Sequence, residues 1–277
     1  MEKLNQKYIN SVVKKALNED LKPRGDITTS LISFKNKKST AKIIAKQSGI
    51  IAGLNFCETA FRLIGKETIF KPKIKDGNKI KKNKVIAEIK AKTKTILIAE
   101  RTALNFLSHA SGIATLTNKF VSKVNKKTKI CCTRKTTPNL RLLEKYAVKK
   151  GGGYNHRYNL SDEILIKDNH INSEKNLSKL LAKAIKTKKI ITVEIENEKQ
   201  LNQILGMKFK RILFDNISPQ KIKKFLKLCK NKYEIEYSGN ASLKNVKKIS
   251  NTGINRISVG AITHSVKTFD MSLELVS

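Results

Sequence analysis

From about residue 110 onward the chain repeats one unit: a short β-rich apolar run that closes on polar or small residues, then an amphipathic stretch with apolar spacing near the helical period. The runs are Ile130–Thr133, Ile164–Ile166, Ile190–Val193, Arg211–Phe214, Tyr233–Tyr237 and Arg256–Val259. Between them the spacing predicts helices such as Leu177–Ile185, Glu198–Leu205, Pro219–Cys229 and Leu243–Ser250. Strands alternating with helices pair in parallel, through right-handed crossovers. The residues closing the runs are, in order, Arg134-Lys135, Lys167-Asp168, Glu194, Asp215, Ser238-Gly239-Asn240 and Gly260-Ala261. After a first gap that holds an extra Gly-rich loop, they recur every 21 to 27 residues. Polar residues end many single strands, but six endings in series with complementary charges are what a (β/α) barrel uses to build its active-site face. Six clear units do not establish a closed eight-stranded barrel.

The first hundred residues read differently. Turn signals (Pro23-Arg24-Gly25-Asp26 and Asp76-Gly77-Asn78) separate alternating strands such as Ala41–Lys46 and Val85–Ile89. Helices are expected over Met1–Lys15, over Asn55–Leu63 and from about Ala99-Glu100-Arg101 onward. The expected organisation is an N-terminal α/β domain over residues 1–108 and an α/β barrel domain over residues 109–277.

Composition excludes several classes. Hydrophobic content of 39% with 29% charged residues is globular rather than disordered. No apolar run approaches the ~18–20 residues needed to span a bilayer. Met1–Lys15 lacks the apolar core and cleavage site of a signal peptide, so no membrane partner is expected and a cytoplasmic address is the default. Cys57, Cys131, Cys132 and Cys229 have no CxxC spacing, and read as reduced, mostly buried thiols. The net charge of +36 invites a nucleic-acid reading. Yet only eight of the 58 basic residues are arginine, the lysines are spread along the whole length, and no RRM, zinc-finger or basic-zipper pattern appears. A surface lysine bias with no nucleic-acid partner is the preferred account, a binder built on the barrel scaffold the alternative. In such a background an arginine is informative, because its rigid fork holds carboxylate or phosphate in a way lysine cannot copy.

Candidate chemistry gathers at the strand ends. Arg134 and Lys135 lie in Thr133-Arg134-Lys135-Thr136-Thr137-Pro138, and His156-Arg157 follows Gly151-Gly152-Gly153, a loop able to take positive φ and approach a ligand. Lys167 closes the next run. Cations converging on one mouth need an anionic ligand, and bidentate arginines suit a planar dicarboxylate or a phosphate. Glu194 and Asp215 follow; carboxylates at a polyphosphate site hold Mg²⁺ directly or through water and stabilise positive charge on a sugar ring. Glu196 shares the Glu194 face of an extended strand. The small residues at 238–240 and 260–261 expose backbone N–H groups where barrels bind phosphate. His170 is a candidate to support its loop, while His109 and His264 read equally well as ordinary polar positions. No HxH or HExxH spacing exists, so no catalytic transition metal is expected.

In order along nearly the whole chain, these blocks resemble the quinolinate phosphoribosyltransferase family, the carboxylating nicotinate-nucleotide pyrophosphorylases. The matching stretches include Gly25–Thr29, Glu100–Asn105, Ser111–Thr115, Thr133–Pro138, Gly151–Arg157, Leu165–His170, Val193–Asn197, Leu213–Asn216, Tyr237–Asn240 and Ser258–Ala261. The resemblance implies an N-terminal α/β sandwich followed by an open, irregular (β/α) barrel. It implies that quinolinate and phosphoribosyl pyrophosphate, with Mg²⁺ and no organic cofactor, give nicotinate mononucleotide, pyrophosphate and CO₂ for NAD synthesis. On that analogy Arg134, His156 and Arg157 grip the quinolinate carboxylates, with Thr133 beside them. Arg101 reaches in from the partner of a homodimer or larger assembly. Lys135 and Lys167 serve the anionic substrates, and Glu194 and Asp215 sit near the ribose and its Mg²⁺-pyrophosphate. Ser238, Gly239, Asn240, Val259, Gly260 and Ala261 hold phosphate. A paralogous enzyme acting on another acid would carry the same motifs.

Overall fold

The computed structural model describes residues 4–276 and divides them into two compact units. The first three residues of the expected Met1–Lys15 helix lie outside the described part.

One unit comprises residues 4–118, 136–152 and 265–276. It holds α1 (Gln6–Leu21), α2 (Ile27–Ser30), β1 (Lys38–Ala45), β2 (Gly49–Ile50), α3 (Leu54–Ile64), β3 (Ile69–Pro72), β4 (Lys79–Ile80) and β5 (Val85–Lys92). Nearly all of α4 (Thr93–Val121), together with α5 (Arg141–Lys150) and β12 (Met271–Val276), completes it. The sheet is antiparallel in the order β12-β1-β5-β3, beside a two-stranded β2-β4 ladder, and with its helices forms an α/β sandwich. Alternation explains the sheet. Ala41, Ile43 and Ala45 of β1 are buried, and Ala41 and Ile43 pair with Ile89 and Ala87 of β5.

Two helices differ from the sequence expectation. α1 runs on to Leu21, burying Leu17, because nothing before Pro23 breaks its apolar spacing. α4 begins at Thr93 rather than near Ala99. Its first turns, Thr93 to Ile98, are rich in β-branched residues, which lower helix propensity and disguise the start.

The motif Ser111–Thr115 is structural in this unit. Ser111 Oγ accepts the Ala52 N–H at 3.1 Å and Thr115 Oγ1 accepts the Ile50 N–H at 2.9 Å. A Cβ on Gly112 would lie 2.4 Å from the Lys267 carbonyl oxygen, so only glycine allows that approach.

The other unit comprises residues 119–135 and 153–264. Its strands are β6 (Lys129–Cys131), β7 (Ile164–Ile166), β8 (Ile191–Ile195), β9 (Arg211–Asp215), β10 (Glu234–Ser238) and β11 (Arg256–Ser258). Its helices are α6 (Asp168–Glu174), α7 (Leu177–Ile185), α8 (Glu198–Ile204), α9 (Pro219–Cys229), α10 (Val246–Ser250) and α11 (Ala261–His264). The sheet is wholly parallel in the order β6-β11-β10-β9-β8-β7. All six expected strands are present, α7 and α9 have the expected bounds, and the sheet stays open: an irregular (β/α) barrel. α10 is shorter than expected, because Asn245 Oδ1 accepts the Ser242 N–H at 2.7 Å and holds Leu243–Asn245 in a turn.

The strands of this unit are buried on both faces. Ile212, Phe214, Ile235 and Ile257 are buried on one face, where Phe214 meets Phe225 of α9 edge-on at 5.6 Å. The opposite face carries Thr192, Arg211, Glu234, Glu236, Arg256 and Ser258, polar residues that share alternate positions along neighbouring strands. Their side chains are mutually bonded, which is what lets ions occupy a sheet interior. All four cysteines are free and buried.

Candidate active site

At the C-terminal ends of the parallel strands lies a cavity of about 810 Å³. Of the site residues expected from the sequence, it is lined by Thr133, Arg134, Lys135, His156, Arg157, Lys167, Glu194 and Asp215. Ser238, Gly239, Asn240, Val259, Gly260 and Ala261 line it as well. Arg101 does not. It is exposed on α4 in the other unit, where it lines a separate cleft with Glu19, Asp20 and His109.

The cationic end is built by β6 and the segment after residue 153. The Thr133 hydroxyl accepts the Lys135 N–H at 3.0 Å, and the Thr263 hydroxyl donates to the Lys135 carbonyl at 2.7 Å. The Arg–Lys turn is thereby fixed from both sides. Arg157 donates from Nη1 to the Glu163 carbonyl at 3.0 Å. Burial, and then the positive charge of Arg134, push the Arg157 guanidinium below its ordinary basicity, with Glu163 opposing. Two crowded guanidinium groups gain most from a ligand with two negative charges. His156 is buried beside them, and burial lowers its pKa first, Glu236 opposing and Arg211 and Arg256 adding to the fall.

The triple glycine works differently from its expected role. None of Gly151, Gly152 and Gly153 lines the cavity. A Cβ on Gly151 would lie 2.4 Å from the Ala114 carbonyl oxygen, and Gly152 takes φ +87°, so these two serve close packing and the turn after α5.

The acidic end is built by β7, β8 and β9. Lys167 Nζ donates to Glu194 Oε2 at 3.0 Å, and its backbone N–H donates to His170 Nδ1 at 3.0 Å, so His170 does support its loop. Glu194 is largely buried, which raises its pKa; Lys167 lowers it, and Asp215 and Asp168 raise it. Glu196 is exposed beyond the end of β8 and does not line the cavity. Among the described residues no group of three or more metal-ligating side chains forms a cage. Two carboxylates in one polar cavity instead suit a hard, oxygen-preferring cation that arrives on a phosphorylated substrate and keeps its waters.

Glycine shapes the remaining rim. Gly239 takes φ +119°, and a Cβ there would lie 2.2 Å from Asn216 Oδ1. The backbone therefore turns hard against Asn216, whose N–H donates to the Ser238 carbonyl at 2.8 Å. Lining residues that the sequence reading did not single out are Leu165, Leu213, Asn216, Glu236, Ala241, Ser258 and His264. Leu165 and Leu213 carried a signal, standing two positions before Lys167 and Asp215 and so on the same strand faces.

Fold and site together define an α/β barrel enzyme for anionic small molecules, with cations and carboxylates at opposite parts of one cavity. Residues 26–111 match the quinolinate phosphoribosyl transferase N-terminal domain and residues 113–274 match its C-terminal domain. The chain is 40% identical over 271 residues to a probable nicotinate-nucleotide pyrophosphorylase (carboxylating) of Bacillus subtilis, covering 95% of this chain and 93% of that one. It is also 40% identical over 281 residues to the protein of that description from Methanocaldococcus jannaschii, covering 97% and 98%. The solved structure of the nicotinate-nucleotide pyrophosphorylase from Francisella tularensis superposes with a TM-score of 0.94 at 37% identity, covering the whole of both chains. The chain belongs to the quinolinate phosphoribosyltransferase family.

The burial of Glu194 leads to a pH prediction. A role for Glu194 as a carboxylate predicts that, because its pKa is raised, kcat/KM falls on the acid side at a pH above the ordinary carboxylate range of ~4.5. Glu194→Gln removes that limb together with most of the activity. A wild-type limb that persists unchanged in the variant would contradict this role.

Proposed function

We propose that the chain condenses quinolinate with phosphoribosyl pyrophosphate, releasing pyrophosphate and CO₂ and leaving nicotinate mononucleotide. The observation that carries this reading is the pairing, in one cavity, of the crowded Arg134–Arg157 end with the Glu194–Asp215 end. The first suits a planar dicarboxylate and the second a sugar carrying a metal-bound pyrophosphate. Leu165 and Leu213 offer apolar surface to a flat ring between them.

In the proposed reaction the quinolinate ring nitrogen attacks C1 of the ribose as the C1–O bond to pyrophosphate breaks. Positive charge grows on the ribose, and Glu194 and Asp215 stabilise it electrostatically. Glycosylation makes the ring nitrogen cationic. The C–C bond to the neighbouring carboxylate then breaks, CO₂ departs, and the electron pair left on the ring carbon is stabilised by the adjacent positive nitrogen until a proton replaces it. Arg134, Arg157 and His156 hold the acid, Lys135 and Lys167 serve anionic oxygens, and the N–H groups around Gly239 and Gly260 receive phosphate. Glu194 and Asp215 would hold Mg²⁺, directly or through water, and the ion would supply positive charge to the pyrophosphate leaving group. No side chain is required as a covalent nucleophile, so positioning supplies most of the rate.

The test is direct. Purified protein supplied with quinolinate, phosphoribosyl pyrophosphate and Mg²⁺ should release CO₂ and nicotinate mononucleotide in equal amounts. Turnover of a different acid in place of quinolinate would reassign the substrate, and no turnover of any would refute the reading.

We further propose that Arg101 reaches into the site of a partner subunit, so that the working unit is a homodimer or a larger assembly, operating in the cytoplasm. Its exposure on α4, away from the cavity lining, supports that assignment. Arg101→Ala and Arg157→Ala are each expected to be inactive, and mixed dimers of the two should regain about a quarter to a half of wild-type activity, since one intact site forms per mixed pair. Verified mixed dimers without activity would contradict sharing.

A further inference from the structure

The polar face of β9, β10 and β11 carries charges that the reaction above does not use. Register sets Glu236 opposite Arg256, one turn of the pleat below Ser238, and Glu234 opposite Arg211, two turns below Ser238 and Asp215. Glu236 is fully buried, yet it forms part of the cavity wall. The Ser258 hydroxyl donates to its Oε1. Its Oε2 faces Arg256 Nε at 3.3 Å, His156 Nε2 at 3.6 Å and Arg211 Nε at 3.7 Å. A carboxylate in the wall of an anion site would repel the ligand unless it did something for the cations around it.

His156 shows what that is. The backbone N–H of Arg157 donates to His156 Nδ1 at 2.8 Å. A ring nitrogen that accepts a hydrogen bond carries no hydrogen, so the neutral ring has its N–H on Nε2, the atom turned toward Glu236. The charged groups facing the ring set the balance. Arg211 and Arg256 disfavour a second proton, and Glu236 and Glu163 favour one. Arg211 is itself occupied, donating to Glu234 at 2.9 Å and to Thr192 at 3.0 Å.

We propose that Glu236 is a positioning residue for the acid-binding end of the cavity: its carboxylate lies behind His156, 3.6 Å from the buried Nε2, where it holds the ring in place and supports its charged form. The proposal rests on the reading that this end takes an aromatic dicarboxylate. An incoming carboxylate adds a second negative charge beside the ring, and together with Glu236 behind it stabilises the imidazolium. An acid is thereby favoured over its neutral amide, which adds no charge beside the ring.

The test reads His156 itself. In ¹⁵N-histidine-labelled protein, with the His156 resonances assigned by their loss in His156→Asn, the free wild type should show the Nε2–H tautomer. In Glu236→Gln the titration midpoint of His156 should fall, because the group that stabilises its charged form is gone, while the Nε2–H tautomer, set by the Arg157 N–H, should stay. Quinolinate affinity should drop about tenfold, the equivalent of one pKa unit in the stability of the imidazolium, while affinity for phosphoribosyl pyrophosphate stays at the wild-type value. Ser258→Ala, which loosens the carboxylate without removing it, should shift His156 the same way by less, and serves if Glu236→Gln does not fold by circular dichroism. An unchanged His156 midpoint in a folded variant would overturn the proposal. So would equal losses of affinity for both substrates, the mark of a merely structural residue. The histidine readout needs no turnover, so its outcome is separate from that of the catalytic assay.

Discussion

Ions buried inside a parallel sheet are the constraint on which the barrel unit depends. Arg211 and Arg256 share the interior with Glu234 and Glu236, held by contacts of 2.9 Å to 3.7 Å. Removing one partner from such a group strands a buried charge, at a cost of about 3–5 kcal/mol. The ions therefore fix strand register. A slip of one residue would turn Arg211 and Glu236 toward the apolar face and bring Ile212 and Ile235 inward. The same register sets Lys167, Glu194, Asp215 and Ser238 at the mouth, so the catalytic end is placed by an electrostatic layer beneath it.

That layer also explains how one cavity holds opposite charges without collapsing into ion pairs. Glu194 is matched to Lys167, while Glu236 is held below by Ser258 and the interior arginines. Arg134 and Arg157 are left close enough for one to depress the basicity of the other, and a dianion relieves that repulsion. This reading rests on a few cations with fixed neighbours and not on the net charge of +36.

Much of this was legible in the sequence. The six strands and the residues closing them could be read because period and ending recur together, and the fourteen site residues read from those endings and their flanking loops come together around one cavity. The start of α4 was not legible, since Thr93–Ile98 favours extended structure locally and is helical only through the core it covers, with Ile96 fully buried. Glu236 was hidden for a related reason. Alternating charge and apolar residues in Glu234-Ile235-Glu236 describe a half-exposed strand, and only the facing arginines on strands further along or back in the chain reveal a buried one. Gly151 and Gly152 were read as a ligand loop, although their first use is in packing and turning the chain after α5. Composition conveys permissive backbone, but not what approaches it.

The central claim is that the cationic end, resting on the buried ions, is where the dicarboxylate binds. A crystal structure of the protein with quinolinate tests it most directly. The account predicts both carboxylates within hydrogen-bonding distance of the Arg134, Arg157 and His156 side chains, with the ring nitrogen turned toward Glu194 and Asp215. Quinolinate bound elsewhere, or in this cavity without contact to either arginine, would contradict it.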